Sequence, residues 1–205
     1  MKIGIVKVYD LEESIIASGL PKQAEYEEDT FFNQSELLKY IRKDALVNNP
    51  HFKRACKLAA NPAGSGHNNF LSGILVSANV TATNVWWMQF ERYHFAQIVS
   101  SQSKMHRLRE MLKANSDKLP FHEKTAVEIH SPIFSPETLD DEQLAYSCPC
   151  GLELTARITT NYLQLKTIYG QRKNHKLKEW RDFCEWIECL PMAAEFITNQ
   201  DVITA

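Results

Sequence analysis

The segment from Leu152 to Thr160 restricts the fold more than any other, because its apolar and polar residues alternate without a break. This period of two predicts a strand with one buried face and one polar face. The apolar side consists of Leu152, Leu154, Ala156 and Ile158. Thr160 and Asn161 then predict the cap of a helix. The chain is therefore expected to pass directly from a strand into a helix here.

The helix after Asn161 carries one stripe of large side chains that ends in a charge. The stripe consists of Tyr162, Leu165, Ile168 or Tyr169, and Arg172. A buried guanidinium group needs an anionic partner, because its desolvation is otherwise costly. An anionic ligand would supply that partner, and so would an internal carboxylate such as Glu91, Glu128 or Glu153.

Other patterns predict further strands and helices within a single domain that spans residues 1–205. Strands are predicted over Lys2–Tyr9 and Ile74–Thr81, and helices from Leu11 with Asp10 as cap, over Ser35–Val47 behind a serine cap, over Phe52–Ala60, from Asn84 onward, over Lys104–Lys113 and over Glu179–Leu190. In Lys104–Lys113 the residues expected to face inward are Met105, Leu108, Met111 and Leu112, and in Glu179–Leu190 they are Trp180, Phe183, Cys184 and Ile187. The stretch Asn61–Gly66 is predicted to be a loop, and Pro120–Pro149 to hold loops with short elements.

The charge of the chain disfavours a protein that coats nucleic acid. The formal net charge is −2, whereas such binding depends on neutralising many phosphates. The segment Lys166–Arg181 is nevertheless strongly basic, which fits either a solvated helix face or a surface that binds an anion. The chain shows no signal-peptide pattern and no run of 18 apolar residues, so neither secretion nor membrane spanning is expected.

The five cysteines show no regular spacing, which favours a reducing, cytoplasmic setting. Cys148 and Cys150 form the one close pair. Structural zinc needs four ligands, and no second pair completes such a site. We therefore expect no metal and interpret the pair as two small residues at the entrance to a strand.

The stretch from Trp86 to Arg107, WWMQFERYHFAQIVSSQSKMHR, mixes polar residues among bulky apolar ones. A core helix sorts these two kinds onto opposite faces. If the segment is helical, Gln89 and Arg92 lie three residues apart on one face. Trp86 and Phe90 are expected to pack in the core or at a subunit interface, and the polar residues to form the surface of a binding site.

Several of these residues occur in an order that resembles the flavin-dependent thymidylate synthases. The matching residues are Gly66-His67 after a loop, Gln89 and Arg92, a serine cluster at Ser100–Ser103, and Asn161 with Arg172 eleven residues later. The family signature is only partly present. Tyr93-His94 replaces its His-Arg, the serine cluster fits after a one-residue insertion, and Met105-His106 replaces its Arg-Tyr. Leu163 stands where the family has an Arg that contacts the flavin.

The resemblance implies an α/β (α+β) fold in which helices flank a mostly antiparallel central sheet, assembled as a homotetramer. It implies FAD as cofactor, with NADPH as reductant and methylene-tetrahydrofolate as one-carbon donor, and a pyrimidine nucleotide similar to dUMP as substrate. The residues that it places on the substrate are Gln89, Arg92, His94, Ser101, Ser103 and Arg172. Those that it places on the cofactor are His67, Asn161 and His175. It assigns no catalytic residue and no metal ligand.

Two other classes of function stay open. The broken signature favours a non-catalytic relative that keeps the fold as a nucleotide-binding or assembly protein. In that class, Trp86, Trp87, Trp180 and Trp186 are expected to be exposed and to contact partners. The basic segment together with the aromatic residues would also fit a protein that binds single-stranded nucleic acid.

Overall fold

The structure is a computed structural model that describes residues 1–114, 120–126 and 136–199. The strands are β1 (Lys2–Tyr9), β2 (Leu75–Thr83), β3 (Gln97–Ser101) and β4 (Glu153–Asn161). The α-helices are α1 (Leu11–Ala17), α2 (Glu28–Tyr40), α3 (Lys43–Leu46), α4 (Pro50–Ala59), α5 (Asn84–Phe90), α6 (Lys104–Ala114), α7 (Asp141–Ser147), α8 (Tyr162–Arg172) and α9 (Lys178–Glu188). Short 3-10 turns cover Leu20–Lys22, Asn69–Ser72 and Pro136–Thr138, and a π-helical turn covers Ala194–Thr198.

The four strands form one sheet in the order β1-β2-β4-β3. Side chains on the polar face pair across β2 and β4. The hydroxyls of Thr81 and Thr155 lie 2.8 Å apart, and Arg157 Nη1 donates to Asn79 Oδ1 at 3.1 Å. Residue numbers rise along one strand as they fall along the other, so the two strands are antiparallel. The predicted combination of helices with a mostly antiparallel sheet is confirmed.

The chain divides into two compact units. The first unit comprises Met1–Ile5 and Ala78–Ile158, and the second comprises Val6–Ser77 and Thr159–Ala205. The assignment of one domain to residues 1–205 stays a prediction.

The core of the first unit contains a cluster of aromatic rings on α5. Trp86 stacks on Phe90 with ring centroids 4.8 Å apart, and Trp87 Nε1 donates to Leu154 O at 3.1 Å. Trp86 and Phe90 are fully buried, as predicted for core residues. The interpretation of Trp86 and Trp87 as exposed partner contacts is wrong, because the indoles fill the space under the sheet strand β4.

The second unit buries one face of α8, as the stripe predicted. Tyr162, Leu165 and Ile168 are fully buried, and Tyr169 nearly so. The Tyr162 hydroxyl donates to Pro191 O at 2.7 Å, and burial raises the pKa of this phenol. Helix α9 buries Trp180, Phe183, Cys184 and Ile187, as its helical spacing predicts, and the alternative assignment of Trp180 as an exposed aromatic is wrong.

Three local predictions fail for identifiable reasons. Helix α2 begins at Glu28, with two acidic residues in its first turn, so Ser35 lies within the helix and its hydroxyl donates to Phe32 O at 2.9 Å. The helix ends where Ile41 becomes extended, and α3 is a separate helix, so the predicted continuous helix over Ser35–Val47 is wrong.

The predicted cap of α1 is also wrong. Asp10 precedes α1 in a left-handed conformation, and its side chain makes no capping hydrogen bond. Met105 is exposed because it lies in the first turn of α6, before the buried Leu108 and Leu112.

Among the described residues, no helix combines the length and the apolar character that a membrane crossing requires.

We predict that the N-terminus of α4 depends on the side chain of Asn49. Its Oδ1 accepts hydrogen bonds from His51 N at 2.9 Å and Phe52 N at 3.2 Å, and Pro50 occupies the first helical position. Loss of such a cap costs about 0.5–2 kcal/mol. Asn49→Ala should lower the free energy of unfolding by that amount in urea denaturation. Asn49→Asp keeps an acceptor and should retain most of the stability; an equal loss in both variants would contradict the capping role.

Candidate functional site

In the second unit, helix α8 holds two of the predicted site residues at its opposite ends. Asn161 is the N-cap, and its Oδ1 accepts from Gln164 N at 2.8 Å. Arg172 is the last helical residue. Eleven residues of α-helix separate the two by about 16 Å at 1.5 Å per residue. The two residues therefore lie about three helical turns apart, at opposite ends of α8.

Arg172 meets an aromatic ring, which the sequence did not predict. Its guanidinium carbon lies 4.7 Å from the ring centroid of Trp180 on α9. A guanidinium over the face of an indole is attracted electrostatically by the ring. The stack provides one favourable contact for a half-buried charge. The proposed anionic ligand of Arg172 stays a prediction, and Glu128, one of the alternative carboxylates, lies outside the described residues.

His175 lies just after α8 in a turn that Arg181 holds closed. Arg181 Nη1 donates to the carbonyl oxygens of His175 at 2.6 Å and Lys176 at 3.0 Å. The Nδ1 atom of His175 accepts from Leu177 N at 3.1 Å, so the neutral ring carries its proton on Nε2. Partial burial lowers the pKa of His175, and the guanidinium groups of Arg172 and Arg181 lower it further.

His67 is exposed at the end of the loop that follows α4. The loop turns through Gly64 and Gly66, whose φ angles of 87° and 80° favour glycine. The next residue, Asn68, is fully buried, and its Nδ2 donates to Asn61 O at 2.8 Å and Pro62 O at 3.2 Å. The loop therefore has a fixed base and presents an imidazole to solvent.

In the first unit, the residues of the partial signature fall at the end of α5 and beyond it. Gln89 is half-buried in the last turn of the helix, whereas Arg92 and His94 are exposed in the following turn. Because α5 ends at Phe90, the prediction that Gln89 and Arg92 share a helical face is wrong. His94 borders an open depression of about 440 Å³, which is lined by Glu91, Tyr93, His94, Ala96, Gln97 and Ile98.

The two serines assigned to the substrate have different local roles. Ser101 is exposed at the end of β3. Ser103 precedes α6, and its Oγ accepts from His106 N at 3.3 Å, which identifies it as a helix cap. Between them, Gln102 is joined to Thr155 on β4 by two hydrogen bonds, one of 3.0 Å from its own N–H and one of 2.8 Å to its Oε1. These two hydrogen bonds fix the segment Ser101–Ser103 to the sheet.

The sequence interpretation missed two interactions that shape the second unit. It predicted Trp180 to be buried on the last helix, or exposed in the alternative class of function, but it did not predict the contact of its ring with Arg172. Lys166 was counted with a basic segment, yet it is half-buried and its ammonium group donates to Ala59 O and Asn61 O. A signal for Lys166 existed, because it lies four residues after Tyr162 and three before Tyr169, along the buried stripe.

The described residues contain no group of three or more His, Cys, Asp or Glu side chains that could hold a metal ion. Burial raises the pKa of the Cys148 thiol to about 11, while Cys150 is exposed. Metal binding by thiols requires the thiolate.

Comparison with known proteins links the chain to one fold. No protein-family model matches the sequence, and no curated protein does. A structure of the flavin-dependent thymidylate synthase ThyX from Helicobacter pylori, complexed with FAD and dUMP, is 15% identical, with a TM-score of 0.62 over 98% of this chain and 99% of that one. Another structure of that enzyme with FAD and dUMP is 16% identical, with a TM-score of 0.66 and full coverage of both chains.

A third solved structure is that of a different enzyme. The UMP/dUMP methylase PolB from Streptomyces cacaoi, bound with 5-Br dUMP, is 12% identical, with a TM-score of 0.50 over 97% of this chain and 95% of that one. At these identities the similarity concerns the fold. The chain has a fold like that of the flavin-dependent thymidylate synthases over nearly its whole length.

We predict that His175 titrates below the ordinary histidine pKa of 6.5. Because folding favours the neutral ring, His175 contributes less stability as the pH falls from above 6.5 toward its lowered pKa. An NMR titration should give a midpoint below 6.5. Arg181→Met should raise that midpoint, because it removes a nearby positive charge, whereas Arg107→Met, in the first unit, should not move it. A midpoint at or above 6.5 would contradict this assignment.

Proposed function

We propose that this chain is a divergent enzyme of the flavin-dependent thymidylate synthase type. It binds FAD and a pyrimidine nucleotide similar to dUMP, and it transfers a one-carbon group to the pyrimidine. The observation that carries the proposal is the end-to-end similarity of fold to structures that contain FAD and dUMP. The order of the partly preserved motif residues supports it independently.

The second unit offers suitable groups for a flavin nucleotide and a substrate. Asn161 and Arg172 lie at opposite ends of α8, and the resemblance assigns them to two ligands, the flavin and the pyrimidine nucleotide. A planar guanidinium fits a phosphate or the edge of a uracil ring with two parallel hydrogen bonds. The Nε2–H of neutral His175 adds a donor for the cofactor, and His67 adds an imidazole on a fixed loop.

The first unit supplies the remaining assigned contacts in this proposal. Gln89, Arg92, His94, Ser101 and Ser103 bind the substrate, and the exposed ones are accessible to it. FAD, when bound, supplies hydride-transfer chemistry, with NADPH as the reductant and methylene-tetrahydrofolate as the one-carbon donor. The residues of this chain bind and orient the ligands. We include assembly as a homotetramer and a cytoplasmic setting in the proposal.

One specific observation favours a second candidate, a non-catalytic nucleotide-binding or assembly protein with the same fold. Leu163 occupies the position of an expected flavin-binding Arg, and Tyr93-His94 replaces two further residues of the signature. A half-buried leucine cannot bind a phosphate, so affinity for FAD would be reduced. Retention of FAD separates the two candidates.

The visible absorption spectrum of the purified protein tests the proposal, recorded first alone, then with FAD, and then with FAD and dUMP. Binding should perturb the flavin bands, and dUMP should perturb them again because the two ligands are expected to lie in contact. A protein that retains FAD and responds to dUMP justifies an assay of one-carbon transfer. A spectrum that equals that of free FAD in both additions would contradict the proposal.

Variants of Arg172 sharpen this test. A charge-assisted hydrogen bond contributes about 1.5–3 kcal/mol, so Arg172→Gln should weaken dUMP binding roughly 10- to 100-fold. Arg172→Lys keeps the charge without the planar fork and should fall between Arg172→Gln and the parent protein. Lys178→Gln is the matched control, because Lys178 lies in the same basic segment but pairs with Asp182. Equal affinity in all four proteins would remove Arg172 from the site.

A further inference from the structure

Lys166 joins three parts of the second unit at one point. From α8, its ammonium group donates to Ala59 O, at the end of α4, and to Asn61 O at 3.1 Å, at the start of the His67 loop. The side-chain amide of Asn199 has one orientation in which both its nitrogen and its oxygen are hydrogen-bonded. In that orientation its oxygen lies 3.1 Å from Lys166 Nζ and is a third acceptor. An ammonium group has three hydrogens, so all of them have acceptors.

The position of Lys166 is costly unless these bonds form. Burial lowers the pKa of its ammonium group, which is the effect of removing a charge from water. The last carbonyl groups of a helix lack partners within the helix and carry its negative partial charge. A cation at the end of α4 therefore recovers part of its desolvation cost and satisfies these acceptors.

The same carbonyl group of Asn61 connects Lys166 to His67. It accepts from Lys166 Nζ on one side and from Asn68 Nδ2, at 2.8 Å, on the other. Asn68 is fully buried and directly follows His67 in the chain. Between these two fixed ends the loop is short and contains two glycines in left-handed conformations. The base of the loop thus determines where the imidazole can lie.

We propose that Lys166 is a positioning residue that holds the His67 loop in the conformation that receives the cofactor. It acts through the Asn61 carbonyl group and Asn68, and it does not contact the cofactor. The expected effect of Lys166 on FAD binding rests on the proposed function. Its effect on the order of the loop does not depend on any ligand.

Amide hydrogen exchange of the ligand-free protein tests the ordering of the loop. In Lys166→Met, the amides of residues 63–68 should exchange at least tenfold faster than in the parent chain. Lys166→Arg restores charge and donors and should bring the rates back to within about threefold. If the lysine only caps α4, exchange will rise at residues 56–60 and stay unchanged at 63–68, and the proposal will be overturned.

Two control variants separate this effect from a general loss of stability or charge. Ile168→Val removes a methyl group from the buried face of the same helix and should not accelerate the loop selectively. Lys57→Met removes a positive charge from the last turn of α4. If Lys166→Met does not fold, Lys166→Gln, which keeps a donor without a charge, is measured by the same criteria. Selective acceleration in either control would overturn the proposal.

The affinity for FAD tests the consequence of loop ordering. Lys166→Met should weaken FAD binding at least tenfold, Lys166→Arg should recover it, and both control variants should leave it within threefold of the parent. Unchanged affinity in a variant with a loosened loop would overturn the positioning role. If the parent chain itself binds no FAD, the proposed function fails, while the exchange experiment still decides whether Lys166 orders the loop.

Discussion

Burial of one face of α8 is the constraint on which the second unit depends. Tyr162, Leu165 and Ile168 are fully buried, and removing an aliphatic side chain of this size from water contributes about 1.5–3 kcal/mol. The helix cannot rotate without exposing them. Every other residue of α8 therefore has a fixed direction, which is why a single helix can present a cap at one end, a cation in its middle and a guanidinium group at the other end.

The N-cap of α8 and two charged residues within the helix each make a different local interaction. Asn161 caps the helix where β4 ends, Lys166 satisfies carbonyl groups at the end of α4, and Arg172 stacks on Trp180. None of these interactions requires a ligand, so the second unit can order them before any ligand binds. Ordering these residues in advance would lower the entropy cost of forming the proposed site. The fold shared with flavin-dependent thymidylate synthases is consistent with this arrangement.

The sequence predicted the parts of the structure that follow from local periodicity. The strand β4, within one residue, the buried stripe of α8 and the Asn161 cap are as predicted, because alternation and helical spacing report burial directly. The bounds of β1 also agree with the prediction, although most of its residues are exposed. Contacts between distant segments could not be predicted in this way. The stack of Arg172 on Trp180 depends on how α9 packs, and two acceptors of Lys166, Ala59 O and Asn61 O, come from residues more than 100 positions away. The burial of Trp86 and of Trp180 was predicted from the sequence. The alternative that exposed Trp86, Trp87 and Trp180 to partners is wrong, because packing buries all three.

Hydrogen exchange with and without saturating FAD and dUMP is the most direct test of where the ligands bind. The account predicts that the two ligands together slow exchange in residues 61–68 and 161–175, which contain His67, Asn161, Arg172 and His175. Helix α9 beyond Trp180 serves as an internal reference and should be unchanged. Protection confined to other segments, or no protection at all under saturating ligand, would contradict the assignment of this site.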